Sequence, residues 1–400
     1  MRGRIAIAVA LLCVAAIAWN YFRPLPVVAA TLSLPTQTTI AGTPPLLPWP
    51  AAGSAALAVS SLGALSYSGD DQPVPMASVA KVMTALVIVG DKPLKAGEQG
   101  PTITITDQDV QTYQADKAQQ QSVVEVQAGE QLTEFQALEG LLVPSGNNMA
   151  ETLARWDATT VQAFVVKMNQ KAKKLGLTST KFDDPAGVSP QTVGTARELI
   201  TLGVATMKEP ALAQIVRMPQ ATLPVAGRVF NVNAALGQAG IVGIKTGSGL
   251  NQGANFLFAA QILIKNFTVT IYGCVMGQPT LAIAFSTAKA LVTAISSVLT
   301  VKKEITKHQL VGSYVTPWAA RADLIATEDV DLVEWPGMIL RHRLDAPSLY
   351  IDKPLAPGIS AGVLHLVLGD YKLDVPLITD SGLYPPGRFW RVTRLPWTNS

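Results

Sequence analysis

The chain has 400 residues, of which 15% are charged and 48% belong to the nine apolar types, a dry composition that predicts two to three packed domains and excludes wholesale disorder. Its net charge is +3, from 31 basic and 28 acidic residues without a long basic run, so the electrostatic footprint of a dedicated nucleic-acid binder is missing. The two cysteines, Cys13 and Cys274, and the three histidines, His308, His342 and His365, exclude a disulfide framework, a cysteine-based zinc site, and a Ser-His-Asp triad within the first 300 residues.

In chain order, Arg2 and Arg4 lead into an apolar run over 5–19, followed by Asn20, Tyr21 and Phe22. The run is long for a signal peptide and short for a span, so residues 1–22 fit either a signal-anchor or a signal peptide. Val28, Ala29 and Ala30 offer small residues suited to cleavage, whereas Trp19, Tyr21 and Phe22 form an interfacial aromatic anchor. Either way the arginines stay inside and the remainder is exported. Residues 23–53 are rich in Pro and Thr and read as a linker, either a free tether or an irregular strap on the folded body.

Residues 54–300 carry strand patterns at 55–60 and 64–68, helical patterns at 79–89, 130–143, 149–157, 161–175 and 197–205, and strand patterns at 241–245, 255–264 and 267–276. The last two strands read as a hairpin through Lys265 and Asn266. This is an antiparallel sheet split by a helical insertion, an α+β fold. A composition break near Val301 predicts a second domain, 301–400, with strands at 363–368 and 371–377 and turn signals between them. Its final stretch, 388–397, carries Arg388, Phe389, Trp390, Arg391, Arg394 and Trp397 and is suited to lipid headgroups, although Pro396 and its shortness argue against a membrane helix.

Three short motifs carry chemistry. Ser78-Val79-Ala80-Lys81 opens a buried helix, and a spacing of three puts the hydroxyl and the amine on one face, a weak nucleophile with its base beside it. For Lys81 to be half neutral near pH 7 its pKa must fall by about three units, or ~4 kcal/mol, which burial, a helix N-terminus and a second cation all favour. Ser286-Thr287-Ala288-Lys289 has the same spacing but lies within a continuous helical pattern, and is a decoy. Ser145-Gly146-Asn147 forms a tight turn after Pro144, able to push a hydroxyl and an amide into a cleft. Lys245-Thr246-Gly247, followed by Ser248, ends a strand where an ammonium can orient a carboxylate and the glycine lets a ligand backbone approach. A phosphate loop is excluded because Ala239 and Ile244 stand where its glycines belong.

In this order, S-x-x-K, S-x-N and K-T-G resemble the penicillin-recognising serine enzymes. The surrounding words, Met76-Ala77-Ser78, Ala128-Gly129-Glu130, the 141–147 turn, Met168-Asn169, Leu175-Gly176-Leu177 and then Thr180, Phe182, Pro185 and Gly187, resemble their D-alanyl-D-alanine carboxypeptidase branch. The resemblance implies a β-lactamase/DD-peptidase-like fold over residues 54–300 and a small C-terminal all-β domain. It also implies acylation of Ser78 by the penultimate D-Ala carbonyl with Lys81 taking the proton, and a proton relay through Ser145. Asn147 would meet the substrate amide, Lys245 and Thr246 the terminal carboxylate, and the amides of Ser78 and Ser248 the oxyanion beside Gly247. The implied partners are peptidoglycan stem peptides ending in D-Ala-D-Ala, β-lactams as covalent inhibitors and, through the N-terminal segment, a membrane; no metal or organic cofactor and no nucleic acid is implied.

Two departures stand out: Met276-Gly277-Gln278-Pro279 has no Arg where the family usually places a basic residue, and the stretch from Ser248 through Leu250, Asn251 and Gln252 to Gly253 predicts an altered loop. A β-lactamase or a catalytically silent wall-binding protein of the same fold are the competing functions. The former lacks its expected E-x-x-L-N stretch and has Gly146 where Asp is usual, and the latter is disfavoured by the intact motif residues.

Overall fold

The computed structural model describes residues 2–60, 62–249 and 252–394; Leu250, Asn251, Pro396 and Trp397 lie outside the described residues. The chain divides into two compact units, one comprising 44–299 and the other the residues before 44 together with those from 300 onward. Helix α1 (Arg2–Phe22) opens the second of these, and its apolar window Gly3–Phe22, with a mean hydropathy of 2.2, is long enough to cross a bilayer's hydrocarbon layer.

Unit 44–299 is built on a five-stranded antiparallel sheet in the order Ile241–Gly249, Gly253–Ile264, Phe267–Gln278, Ser54–Val59, Gly63–Ser68. The long run of chain between the fourth strand's hairpin and the first strand holds all but the last of this unit's helices, as the split pattern predicts. Helix α2 (Lys81–Asp91) is buried from Lys81 to Val89, and a helix apolar on all sides belongs at the centre of a core. The hairpin pairs Ile264 with Phe267 around Lys265 and Asn266. Cys274 pairs with Ala56 and Leu257 inside the sheet, where burial pushes its thiol pKa up and leaves it a small apolar filler.

Two helical expectations shift. Helix α3 (Asp107–Ala118) has no apolar stripe, since only Asp109 and Tyr113 are buried; a capping box between Thr106 and Asp109 starts it. It is held by Arg155 and Thr152, both donating to Asp109 Oδ1, at 2.8 and 2.9 Å. The helix expected from 130 begins four residues later as α4 (Glu134–Leu142), because Gln131–Thr133 pairs as a strand with Thr102–Thr104 and Thr133 caps the helix with Gln136. Then α5 (Asn147–Ala158), α6 (Val161–Lys174) and α7 (Ala196–Lys208) follow the predicted spans closely, and the short α8 (Pro210–Ile215) and α9 (Leu281–Ser296) complete the unit.

The other unit is a seven-stranded antiparallel sheet with a separate two-stranded ribbon, Thr300–Ile305 with Val330–Glu334. Much of 23–53, expected as a linker, belongs to this sheet: Ala30–Leu32 pairs with Leu310–Val315 at one edge, and Gln37–Thr39 with Ile339–Asp345 at the other. The reason is burial of Leu25, Val28 and Ile40, which repays ordering the segment at roughly 2 kcal/mol for each large side chain. The His342 ring donates through Nδ1 to the Pro35 carbonyl at 2.8 Å. A short helix, α10 (Arg388–Thr393), lies near the C-terminal end.

Glu134 is an unfavourable group in the first unit's core: it is fully buried, both carboxylate oxygens lack a hydrogen-bond partner, and burial raises its pKa from 4.5 to about 7 against the pull of Lys92. The folded protein thus holds a proton that the unfolded chain releases near pH 4.5, and stability falls as pH rises from there through about 7. Glu134→Gln removes the buried charge, so thermal unfolding should show a midpoint raised by a few degrees at pH 8 and nearly unchanged at pH 5; a midpoint unaffected at pH 8 contradicts this account.

Candidate active site

The three motifs meet at the junction of the sheet edge and the helical insertion. Ser78 sits in a 3₁₀ turn, Ala77–Ala80, that leads into α2, so the helix is entered through a tighter turn than the spacing alone predicts. Ala77 there has φ of +49°. The loop that packs on it explains the crowding: a Cβ at Gly187, itself at φ +80°, would fall 1.9 Å from the Ala77 carbonyl oxygen, so only glycine fits.

Lys81 is fully buried. Its Nζ donates to Ser78 Oγ at 2.8 Å, Asn147 Oδ1 at 2.6 Å and the Ala186 carbonyl at 2.9 Å. Three donors meet three acceptors, two of which, an amide oxygen and a main-chain carbonyl, cannot return a proton. A neutral amine keeps two hydrogens for those and turns its lone pair to Ser78, the one partner that can give up a proton. Burial holds the Lys81 pKa well below 10.5, the positive charge of Lys245 pushes the same way, and Asp184 and Asp116 oppose both.

The acceptors around Lys81 are themselves fixed. The Asp184 carboxylate collects the amides of Ala186, Gly187, Val188 and Ser189, at 2.6 to 3.0 Å, and the Thr192 hydroxyl at 2.9 Å, and Thr84 Oγ1 donates to the Pro185 carbonyl at 2.7 Å. This cradle aims the Ala186 carbonyl. The Asn147 side chain donates through Nδ2 to Gln121 Oε1 at 2.5 Å, which leaves its Oδ1 directed to Lys81. Neither Gln121 nor the Ala186 carbonyl is evident from the sequence: Gln121 follows a helix without periodicity, and a carbonyl has no residue signature.

Ser145 adopts φ of +67° in the turn between α4 and α5. Gly146 leaves room that a side chain would fill, since its Cβ would lie 2.9 Å from Val124 Cγ2 and 3.0 Å from the Gly140 carbonyl, which accounts for glycine between the serine and the asparagine. The adjacent Asn148 is buried and exchanges two hydrogen bonds with the Val124 backbone, pinning the neighbouring loop.

On strand Ile241–Gly249, Lys245 Nζ donates to Ser145 Oγ at 2.9 Å and to the Thr246 carbonyl at 3.0 Å, and burial lowers its pKa to about 7. A Cβ at Gly247 would lie 2.5 Å from the Met76 carbonyl and 3.1 Å from the Ser78 amide nitrogen, so this strand runs directly against the Ser78 turn. Thr246 is buried and Ser248 exposed on the same strand. Each lysine therefore holds one hydroxyl, and the 145–147 turn joins the two pairs.

At the position where a basic residue was expected, Gln278 is buried with its Nε2 donating to the carbonyls of Ala52 at 2.7 Å and Met276 at 3.1 Å, so it braces the sheet. Just after Lys245-Thr246-Gly247, Gly249 pairs with Gly253 and Gln252 Nε2 donates to the Val188 carbonyl at 2.9 Å. The decoy is disposed of by geometry: Ser286 Oγ donates to the Ile283 carbonyl within α9 and Lys289 to Gln238. Among the described residues no cluster of three or more His, Cys, Asp or Glu side chains is placed to hold a metal ion.

The family model described as D-alanyl-D-alanine carboxypeptidase, Peptidase S11, matches residues 48–280. Among curated proteins the chain is 34% identical over 209 residues to a D-alanyl-D-alanine endopeptidase of Pseudomonas aeruginosa, covering 50% of this chain and 64% of that protein. It is 37% identical over 169 residues to a D-alanyl-D-alanine carboxypeptidase of Mycobacterium tuberculosis, covering 39% of this chain and 51% of that one. The matched regions thus span about half to two thirds of these relatives. Among solved structures, penicillin binding protein 5 from Haemophilus influenzae superposes with a TM-score of 0.60 at 21% identity, over 86% of this chain and 100% of that chain, a likeness of fold. With more than half of its length matched by the family model and the S-x-x-K, S-x-N and K-T-G residues linked by the Lys81–Asn147 and Lys245–Ser145 hydrogen bonds, the chain belongs to the D-alanyl-D-alanine carboxypeptidase family.

Proposed function

We propose that this protein is a serine D-alanyl-D-alanine carboxypeptidase that trims the terminal D-Ala from peptidoglycan stem peptides at the extracytoplasmic face of a bacterial membrane. The observation that carries this reading is the Lys81 amine, bound to two acceptors that cannot give up a proton and to one hydroxyl that can. Ser78 Oγ attacks the penultimate D-Ala carbonyl carbon as its proton passes to neutral Lys81, and the amides of Ser78 and Ser248 receive the charge developing on the carbonyl oxygen. The C–N bond then breaks. Terminal D-Ala leaves with a proton passed through Ser145, whose hydroxyl is held by Lys245 at 2.9 Å, and water hydrolyses the ester to regenerate the Ser78 hydroxyl.

Substrate recognition divides along the strand. Asn147, beside Lys81, meets the peptide amide, and the peptide backbone lies along strand Ile241–Gly249, which is outermost in its sheet. With Gln278 committed to main-chain carbonyls, the terminal carboxylate falls to Lys245, Thr246 and Ser248. β-Lactams present the same carbonyl and carboxylate and acylate Ser78 by ring opening. A second reading, cleavage of a D-Ala bond inside a cross-link, is favoured by the occupied Gln278 amide and by the similarity to a protein named endopeptidase. Release of D-Ala from a pentapeptide, compared with cleavage of a cross-linked muropeptide dimer, separates the two.

Intact mass after incubation with benzylpenicillin should show one stable adduct in the wild type, none in Ser78→Ala, and an unchanged adduct in Ser286→Ala. Rapid loss of the adduct would indicate a β-lactamase, and no adduct a silent binding protein. Lys81→Ala should slow acylation by at least ~100-fold, the scale of general-base loss; an unchanged rate would place the base elsewhere.

The second-order acylation constant reports ionisations of the free enzyme. It should rise with pH as Lys81 loses its proton and fall on the alkaline side with an apparent pKa of about 7 as Lys245 loses the charge that meets the carboxylate. A profile that keeps rising through pH 9 would mean that Lys245 acts without its charge.

A further inference from the structure

The C-terminal end of α1 is built into the unit that contains it. Asn20 Nδ2 donates to the carbonyls of Val392 at 2.6 Å and Arg394 at 2.8 Å. In return the Arg394 guanidinium, on a buried residue, donates to the carbonyls of Asn20, Arg23 and Pro24. The last carbonyls of a helix have no partner along the helix, and a cation there also meets the negative end of the dipole. Burial and the nearby charges of Arg23 and Arg391 work against that guanidinium, so its place rests on the carbonyls it satisfies.

The chain beyond the helix is equally committed. Leu25 and Val28 are buried, Val28 and Leu349 exchange two backbone hydrogen bonds of 2.8 Å, and Ala30–Leu32 is a ladder strand. The small residues Val28, Ala29 and Ala30, where a leader would be cut, are therefore part of a packed sheet. Cleavage there would remove two core side chains and leave the Arg394 guanidinium without its acceptors, a costly loss for a buried charge.

Around this joint the surface has the composition of a bilayer boundary. Trp19, Phe22 and Phe389 are 77%, 80% and 83% exposed, Tyr384 is exposed, and Arg388 and Arg391 stand on α10 with the Arg391 guanidinium 6.0 Å from the Tyr21 ring. Behind them Trp390 packs edge-on against Trp318 at 5.2 Å, and Trp318 Nε1 donates to the Tyr384 carbonyl at 2.8 Å. Rings with one wet end, interleaved with arginines at the end of an apolar helix of spanning length, suit the headgroup layer.

We propose that α1 is retained as a membrane anchor locked by Arg394, and that the surface formed by its last turn and α10 rests in the headgroup layer of a lipid bilayer. The full chain, expressed in a bacterial host and purified from membranes, should have an intact mass that includes the N-terminal helix; a mass lacking residues 1–30 overturns the proposal. In vesicles of phosphatidylcholine and phosphatidylglycerol, Arg394→Ala should speed chymotrypsin cleavage after Phe22 at least tenfold, with Arg394→Lys in between and penicillin labelling of Ser78 intact as the control for folding. Equal rates would mean that no lock exists. In a Cys13→Ser background, an environment-sensitive fluorophore on Phe389→Cys should shift to the blue on reconstitution into those vesicles; a spectrum unchanged by the vesicles refutes the lipid contact.

Discussion

An ammonium group taken out of water is the constraint on which the rest of the catalytic unit is arranged. Removing the Lys81 charge from solvent costs several kcal/mol, and the fold offsets this with hydrogen-bond acceptors that serve both protonation states. A second buried ammonium, on Lys245, adds to the cost. Burial and the opposing charge of Lys245 lower the proton affinity of Lys81 while Asp184 and Asp116 favour its charged form, so that affinity is set by burial and three neighbouring charges. Elsewhere this would be a defect in a core. Here the helix that carries Lys81 is buried from Lys81 to Val89, and that apolar surround is the reservoir of stability against which the charge is held.

Holding acceptors at fixed points requires unusual backbone, and it is found where the acceptors are. Ala77 and Ser145 have positive φ without being glycine, a strained state that persists only when the surroundings over-determine it. Those surroundings are visible: Gly187 pressed on the Ala77 carbonyl, the Asp184 cradle around the same loop, and Asn148 bonded twice to Val124 beside the Ser145 turn. The glycines of the second and third motifs each have a steric task of their own. Gly146 fits under Val124, and Gly247 fits against the Ser78 turn. The motifs are therefore as much about what can approach as about what reacts.

This explains which parts were legible from the sequence. The sheet, its hairpin and the buried helix follow from apolar periodicity, which is dictated by burial and so is written into residue types. The decoy at Ser286 could be set aside for the same reason, because a serine in the middle of a helical pattern spends its hydroxyl on the preceding turn, as it does here on Ile283. Helix α3 was illegible because its stability comes from a capping box and from Arg155, a partner far along the chain. Gln121 and the Ala186 carbonyl were illegible because their roles are purely positional: one continues a polar run, the other is a main-chain atom.

The proline-rich segment shows the opposite case, a composition whose physical meaning depends on where it lies. Prolines disfavour a central strand but are compatible with an edge, because an edge strand has one side without a ladder to donate to. In this fold Ala30–Leu32 and Gln37–Thr39 are the two outermost strands of the seven-stranded sheet, three residues each, with Pro26 and Pro35 beside them. They cover Leu310–Val315 and Ile339–Asp345, which would otherwise offer long open edges to other chains. Short, proline-flanked edges resist such pairing, so the features that resemble a flexible tether are those that let this segment close a sheet at both sides.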